Sequence, residues 1–170
     1  MRKTDSLVLT EPKEEYAEEI ESYRQAFIEN GDHMDGCGPL RKYEDPNEYI
    51  KICKLRADRA TADEAGGYAR QFICVRGSDN HVVGMAQYRY EADPRFRIGY
   101  SVRPDERGKG YASWILSKLL EMLKREGLSE IIIACEPSNS ASMRVIANNG
   151  GKYVESCEYN GIELNVFSLS

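Results

Sequence analysis

Residues Arg107-Gly108-Lys109-Gly110-Tyr111-Ala112 place two glycines and two cations where an alternating stretch gives way to a helical period. A helix start presents amide donors that have no intrahelical acceptor, together with about half a positive charge. Glycines there remove the side chains that would hold a ligand at a distance, and Arg107 and Lys109 add charge. Such a stretch can hold an anion, phosphate best of all. The same residues could also make only a tight turn with solvated cations, and the fragment alone leaves both readings open. Two phosphate-binding patterns are excluded. The G-x-x-x-x-G-K-[ST] spacing is absent. A dinucleotide fingerprint would need a glycine where Ser113 stands, and a preceding strand that is apolar on both faces.

The elements that must position this stretch follow from periodicity. "SLVLTEP" reads as a first strand ending at Pro12. Tyr16, Ile20, Tyr23 and Phe27 mark one face of a helix that Asn30-Gly31 stops. "GDHMDGCGPLRKYEDP" is loop by composition, and Tyr49, Ile50 and Cys53 predict a second helix after Pro46, closed by "ADEAGG". "ARQFICVR", "HVVGMAQYRY" and "RFRIGYSVR" then form a three-strand meander joined by short turns. In its middle strand Val82, Gly84, Ala86, Tyr88 and Tyr90 are expected on one face, with Gln87 and Arg89 on the other. In its last strand Ile98, Tyr100 and Val102 alternate with Arg97, Gly99, Ser101 and Arg103.

Past Gly110 the apolar residues Tyr111, Ala112, Ile115, Leu116, Leu119, Leu120 and Leu123 form a wide helical stripe that ends at Gly127. "EIIIACEP" is a buried strand and "SNSASMRVIANNGG" a short helix with a Ser or Asn cap. "KYVESCEY" and "IELNVFSLS" flank Asn160-Gly161, a strong hairpin signal. This order gives an α+β (mixed α/β) fold, with one crossover through a helix inside a mixed sheet. No repeat or linker interrupts it, so residues 1–170 are expected to form one domain.

Bulk properties bound the function. The net charge of −5 argues against a nucleic-acid partner and permits a cationic small molecule or amine. No apolar run approaches a membrane span. "MRKTDSLVLTEP" has only a short apolar patch and reads as a strand rather than a secretory leader. The five cysteines, Cys37, Cys53, Cys74, Cys135 and Cys157, show no C-x-x-C spacing. They read as buried thiols of a reducing cytoplasm rather than a disulfide framework or zinc site. His33 and Cys37 could share a helical face, but two ligands do not make a metal site.

"RGKGYA" resembles the [Q/R]-x-x-G-x-[G/A] loop of the GCN5-related N-acetyltransferase superfamily, with Arg107, Gly110 and Ala112 in its defined positions. "EPSNSASMRVIANNGG" is similar to the superfamily's N-x-x-S segment, with Asn139 and Ser142 in register. The likeness covers about residues 68–170 well and the first 67 more loosely. It implies a central, mostly antiparallel mixed sheet with helices on both faces and a splayed central strand pair. It also implies an acetyl-CoA-binding core at about 68–170 and a substrate-side helical part at about 1–67.

The resemblance implies acetyl-CoA as co-substrate, with no metal, and a small-molecule or peptide amine as acceptor. Direct attack would transfer the acetyl group. A dimer through the terminal hairpin is a family-level expectation. The main chain of Tyr100, Ser101 and Val102 would take the pantetheine arm like an added strand, and the Val102 amide would polarise the thioester carbonyl. The pyrophosphate would sit on the amides of Arg107, Gly108, Lys109, Gly110, Tyr111 and Ala112. Asn139 would bond the pantetheine or a bridging water, and Ser142 the thiol end or phosphate arm. Relatives often use a Glu on the third meander strand as base and a Tyr in the short helix as acid. Here Phe96 and Arg97 stand near the first position and Ile146 at the second. Tyr100, Glu136 and Glu91 are the remaining acid and base candidates. A non-catalytic acyl-CoA-binding or regulatory module stays open as the alternative.

Overall fold

The structure, a computed structural model, describes residues 6–170. Residues 1–5, the start of the segment read as no secretory leader, lie outside the described residues. A four-stranded antiparallel sheet runs in the order β1 (Leu7–Thr10), β2 (Ala69–Arg76), β3 (His81–Arg89) and β4 (Ile98–Val102). A second antiparallel sheet of three strands runs β5 (Ile131–Cys135), β7 (Ile162–Leu169) and β6 (Lys152–Tyr159). Every recorded ladder is antiparallel, and none joins β4 to β5. The splay expected of the central pair is therefore a complete separation of two sheets.

Helices cover both faces of the first sheet. On one face α1 (Ala17–Asn30) and α2 (Pro46–Arg56) bury Ile20, Tyr23, Phe27, Tyr49, Ile50 and Cys53 against Ile73, Val75, Val82 and Met85. Gly31 ends α1 in the left-handed conformation, and Asp45 caps α2 by accepting the Asn47 amide. α2 ends earlier than its sequence suggests, at Arg56. Thr61 Oγ1 donates to the Leu55 carbonyl at 2.7 Å, and the Ala62 amide reaches the Asp58 carbonyl, so residues 57–67 become turns.

On the other face α3 (Tyr111–Arg125) and α4 (Ser140–Asn148) pack on Phe72, Cys74, Ala86, Tyr88, Ile98 and Val102. The stripe of Ile115, Leu116, Leu119, Leu120 and Leu123 is buried, as its period requires. β5 and β7 complete this core with Ile131, Ile133, Phe167 and Leu169.

One expectation fails inside β3. Val82 does not share a face with Ala86 and Tyr88. The register shifts between Cys74 and Val75, so that Cys74 faces Gly84 but Val75 faces Val82. The extra residue, Val83, joins the α3 core while Val82 joins the α1–α2 core. A bulge reverses the side-chain alternation, and β3 stays buried on both faces. Four of the five cysteines are buried, whereas Cys157 in β6 is partly exposed, with Arg95 Nη1 donating to its sulfur at 3.3 Å.

Candidate active site

The gap between the sheets is a cavity of about 1040 Å³. Its walls are β4 from Ile98 to Val102, the loop and helix start at 107–113, β5 from Ile133, Glu136, and the start of α4. The loop after α1 contributes His33, Asp35 and Gly36.

The β4 backbone explains the gap. The Arg89 amide donates to the Arg97 carbonyl and the Arg103 amide to the Val83 carbonyl. With this register, antiparallel alternation turns the main-chain groups of Gly99 and Ser101 toward β3. The N–H and C=O groups of Ile98, Tyr100 and Val102 therefore face away from β3, toward the gap, where no ladder meets them. An extended ligand could add there as a strand would.

At the end of β4 the chain enters a 3-10 turn from Pro104 to Glu106 and then the glycine loop. Gly108 and Gly110 both have positive φ, 77° and 85°, which side-chain-bearing residues rarely adopt. The turn reading is thus correct, and it does not exclude the other. Gly110, at the cap position of α3, has no side chain to cap it, and the first helical bond recorded there runs from the Trp114 amide to the Gly110 carbonyl. The amides ahead of it are the donors a phosphate would use.

The cations of this loop are not free charges, contrary to expectation. Arg107 Nη2 lies 2.8 Å from Asp32 Oδ2, and its Nε donates to the Val102 carbonyl at 3.3 Å. Lys109 Nζ donates to Glu106 Oε2 at 2.6 Å and does not line the cavity. Glu106 is buried and also takes both terminal nitrogens of Arg76, at 2.9 and 3.1 Å. Burial pushes its carboxyl up, but Arg76 and Lys109 pull it further down, and the net shift is below the ordinary carboxylate value. The anion-binding capacity of the loop is therefore mainly that of its backbone.

Tyr100, Asn139, Ser142 and Glu136 meet at the cavity wall. The Tyr100 hydroxyl and Ser142 Oγ are 2.8 Å apart, a bond across the gap from β4 to α4. Burial pushes the Tyr100 phenol up to about 12, and the Ser142 bond offsets part of that rise. Asn139 is the cap of α4, its Oδ1 accepting the Ser142 amide at 3.0 Å. Its carboxamide nitrogen donates to no protein group among the described residues and is available to a ligand. Glu136 is exposed. Ile146 is fully buried in the core and is not part of the cavity. Glu91 also lies outside the lining. It sits past the end of β3 near Gly67, where a Cβ would come 3.8 Å from its Oε2.

Asp35 and Arg89 line the cavity and were not singled out as site residues from sequence. Both lie near the start of β4. The loop reaches it because Gly36 packs directly on the backbone of Gly99. Tyr23 and Cys37 anchor the same region, their polar atoms 2.9 and 3.4 Å from Ser101 Oγ. The only available signal was the turn-rich composition of "GDHMDGCGP", which marks a loop but names no residue.

Residues 6–152 match the family described as Acetyltransferase (GNAT) domain. The chain belongs to that family. Over 87 residues it is 31% identical to the uncharacterized N-acetyltransferase YnaD of Bacillus subtilis (strain 168). That match spans 50% of this chain and about half, 51%, of the relative. The ribosomal-protein-S5-alanine acetyltransferase from Vibrio fischeri has the same fold, with a TM-score of 0.70 at 20% identity over 95% of this chain and 91% of that one. RimL, a ribosomal L7/L12 alpha-N-protein acetyltransferase solved with coenzyme A, gives 0.69 at 19% identity over 96% and 93%.

Proposed function

We propose that this protein is an acetyl-CoA-dependent N-acetyltransferase acting on a primary amine of a small molecule or peptide. The carrying observation is the alignment of two features along one cavity. The unladdered main chain of β4 leads directly to the uncapped, glycine-opened start of α3. A pantetheine arm bonded to the first brings a pyrophosphate to the second, and RimL of the same fold is solved with coenzyme A.

In this reading the amine nitrogen attacks the thioester carbonyl carbon, the C–S bond breaks, and CoA leaves as a thiolate. The Val102 amide faces the gap and can donate to the carbonyl oxygen as it gains charge. The amine must first lose a proton, and the exposed carboxylate of Glu136 is the candidate acceptor. Tyr100, protonated across the working pH range, is the candidate donor to the leaving sulfur. Its hydroxyl is held on the cavity wall by Ser142.

The test is a titration with acetyl-CoA and, separately, with ATP, followed by detection of free thiol in the presence of mixed amines. Binding of acetyl-CoA with amine-dependent thiol release is expected. Binding without release from any amine would favour a non-catalytic acyl-CoA-binding module, and binding of ATP alone would exclude both.

A further inference from the structure

The two ends of the cavity differ in charge. At the α3 end each cation of the glycine loop has a carboxylate partner. Around Ile98 and Gly99 the lining includes Arg89, Arg95 and Phe96, and the loop after α1 brings Asp35 and Gly36 to the same stretch. Arg95 is paired with Asp93 at 2.7 Å. Arg89 makes no ion pair among the described residues, and neither do Asp35 and Glu136.

Arg89 is nonetheless firmly oriented. Its Nε donates to the Phe96 carbonyl at 3.0 Å, its Nη2 donates to the same carbonyl, and its Nη1 donates to Gln87 Oε1 at 3.1 Å. Gln87 is buried and sits opposite the equally buried Gln71, whose Nε2 holds the Gly36 carbonyl at 2.7 Å. A guanidinium carries five N–H groups, and these three bonds leave one on each terminal nitrogen. That suffices for a two-oxygen grip on a carboxylate. Arg56 lies near enough to act on it and, among the described residues, donates only to the Gly66 and Gly67 carbonyls and has no carboxylate partner. Burial first, and then the Arg56 cation, disfavour the charged form of Arg89, while Asp35 favours it. The resting site thus holds a partly buried cation that Asp35 influences from beyond ion-pair distance.

We propose that Arg89 is the receptor for a carboxylate carried by the acceptor, so that the acceptor is an amine with a nearby carboxylate. The proposal rests on the acetyl-transfer reading above. An uncompensated guanidinium and uncompensated carboxylates lining one cavity complement a molecule that has an ammonium at one end and a carboxylate at the other. A free amino acid meets this description, and so does a peptide N-terminus with an acidic first side chain. A polyamine does not, because Arg89 and Arg56 would repel it.

The experiment compares matched acceptors with the full chain and acetyl-CoA, reading thiol release. One arm sets free L-amino acids against their carboxamides. A second sets Asp-Ala amide against Asn-Ala amide, and spermidine serves as the carboxylate-free polyamine. The carboxylate member of each productive pair is expected to have a kcat/KM ~10- to 100-fold higher. Preference in the first arm alone identifies a free amino acid, and preference in the second a peptide. In Arg89→Gln the ratio should fall to about one through KM, with the KM for acetyl-CoA unchanged.

Equal or better turnover of the carboxylate-free amines overturns the proposal, and the wild-type contrast decides this even if Arg89→Gln does not fold. An Arg89→Gln variant that folds and keeps the preference overturns it as well. Without any turnover, titration of the CoA-bound protein with N-acetyl-amino acids and their amides reads the same contrast. Equal affinity, or none for either, is then fatal to it. Loss of the acetyl-transfer reading itself is distinct, because it shows as failure to bind acetyl-CoA, or as binding with no thiol release from any amine, whatever the carboxylate contrast.

Discussion

Replacing Gly36 with alanine should disturb the acceptor end of the cavity more than the cofactor end. A Cβ on Gly36 would stand 2.4 Å from the Gly99 carbonyl carbon and 2.5 Å from both the Gly99 oxygen and the Tyr100 amide nitrogen. All three are backbone atoms of β4, which cannot swing aside as a side-chain tip can. Gly36 also has φ of 67°, where a Cβ costs about 1–2 kcal/mol. With the overlap added, the expected destabilisation is about 2–4 kcal/mol. For a chain of this size that lowers Tm by roughly 4–16 °C. The loop bearing Asp35 must lift off β4 to relieve the contact, and the same loop reaches the cofactor side only through the Asp32–Arg107 pair and the Tyr100 amide. Below the transition, the acceptor KM should therefore rise more than the Kd for acetyl-CoA, which loses only what depends on the Tyr100 amide and the Asp32–Arg107 pair. Differential scanning calorimetry and a two-substrate kinetic analysis read the two effects. A Gly36→Ala protein within about 0.5 kcal/mol of the parent, with an unchanged acceptor KM, would refute the loop placement.

Gly110→Val should weaken acetyl-CoA binding more than tenfold, on the order of 1.4 kcal/mol or more, because a branched side chain at φ of 85° must distort the amides at the α3 start. Calorimetric titration of the folded variant checks this. Ile146→Tyr should cost about 1–3 kcal/mol and leave turnover no faster. Ile146 is fully buried, and its Cγ2 lies only 2.3 Å from where a Cβ on Gly151 would stand, so a phenol has no room and no route to the cavity. The depressed Glu106 carboxyl contributes stability that is present above its unfolded pKa, near 4.3, and is lost as pH falls through its lower folded value. Glu106→Gln should flatten that acid limb in denaturation curves recorded from pH 6 to pH 3.

What could be read from sequence was local. The α1 face of Tyr16, Ile20, Tyr23 and Phe27, the α3 stripe and the Asn160-Gly161 hairpin each follow from spacing within one segment, and the structure forms all three. The glycine loop was legible for the same reason, since positive φ at Gly108 and Gly110 leaves a mark in residue type. The β3 bulge left none. Around the bulge, Ile73 to Val75 and Val82 to Met85 are apolar or glycine on both faces, so a shifted alternation changes no residue class. The pairing of Arg107 with Asp32 and of Glu106 with Arg76 spans 75 and 30 residues respectively and depends on tertiary approach. Arg89 was assigned correctly to the face opposite Ala86 and Tyr88, but that it lacks a carboxylate partner shows only when every neighbour is in place.

The central claim is that acetyl-CoA lies along β4 with its pyrophosphate at the start of α3. Amide hydrogen exchange with and without acetyl-CoA tests this most directly. Exchange should slow at Tyr100 and Val102, whose amides face the gap, and at residues 108–113, with little change in β6. Unchanged exchange at both segments under saturating acetyl-CoA, or protection confined to other elements, would contradict it.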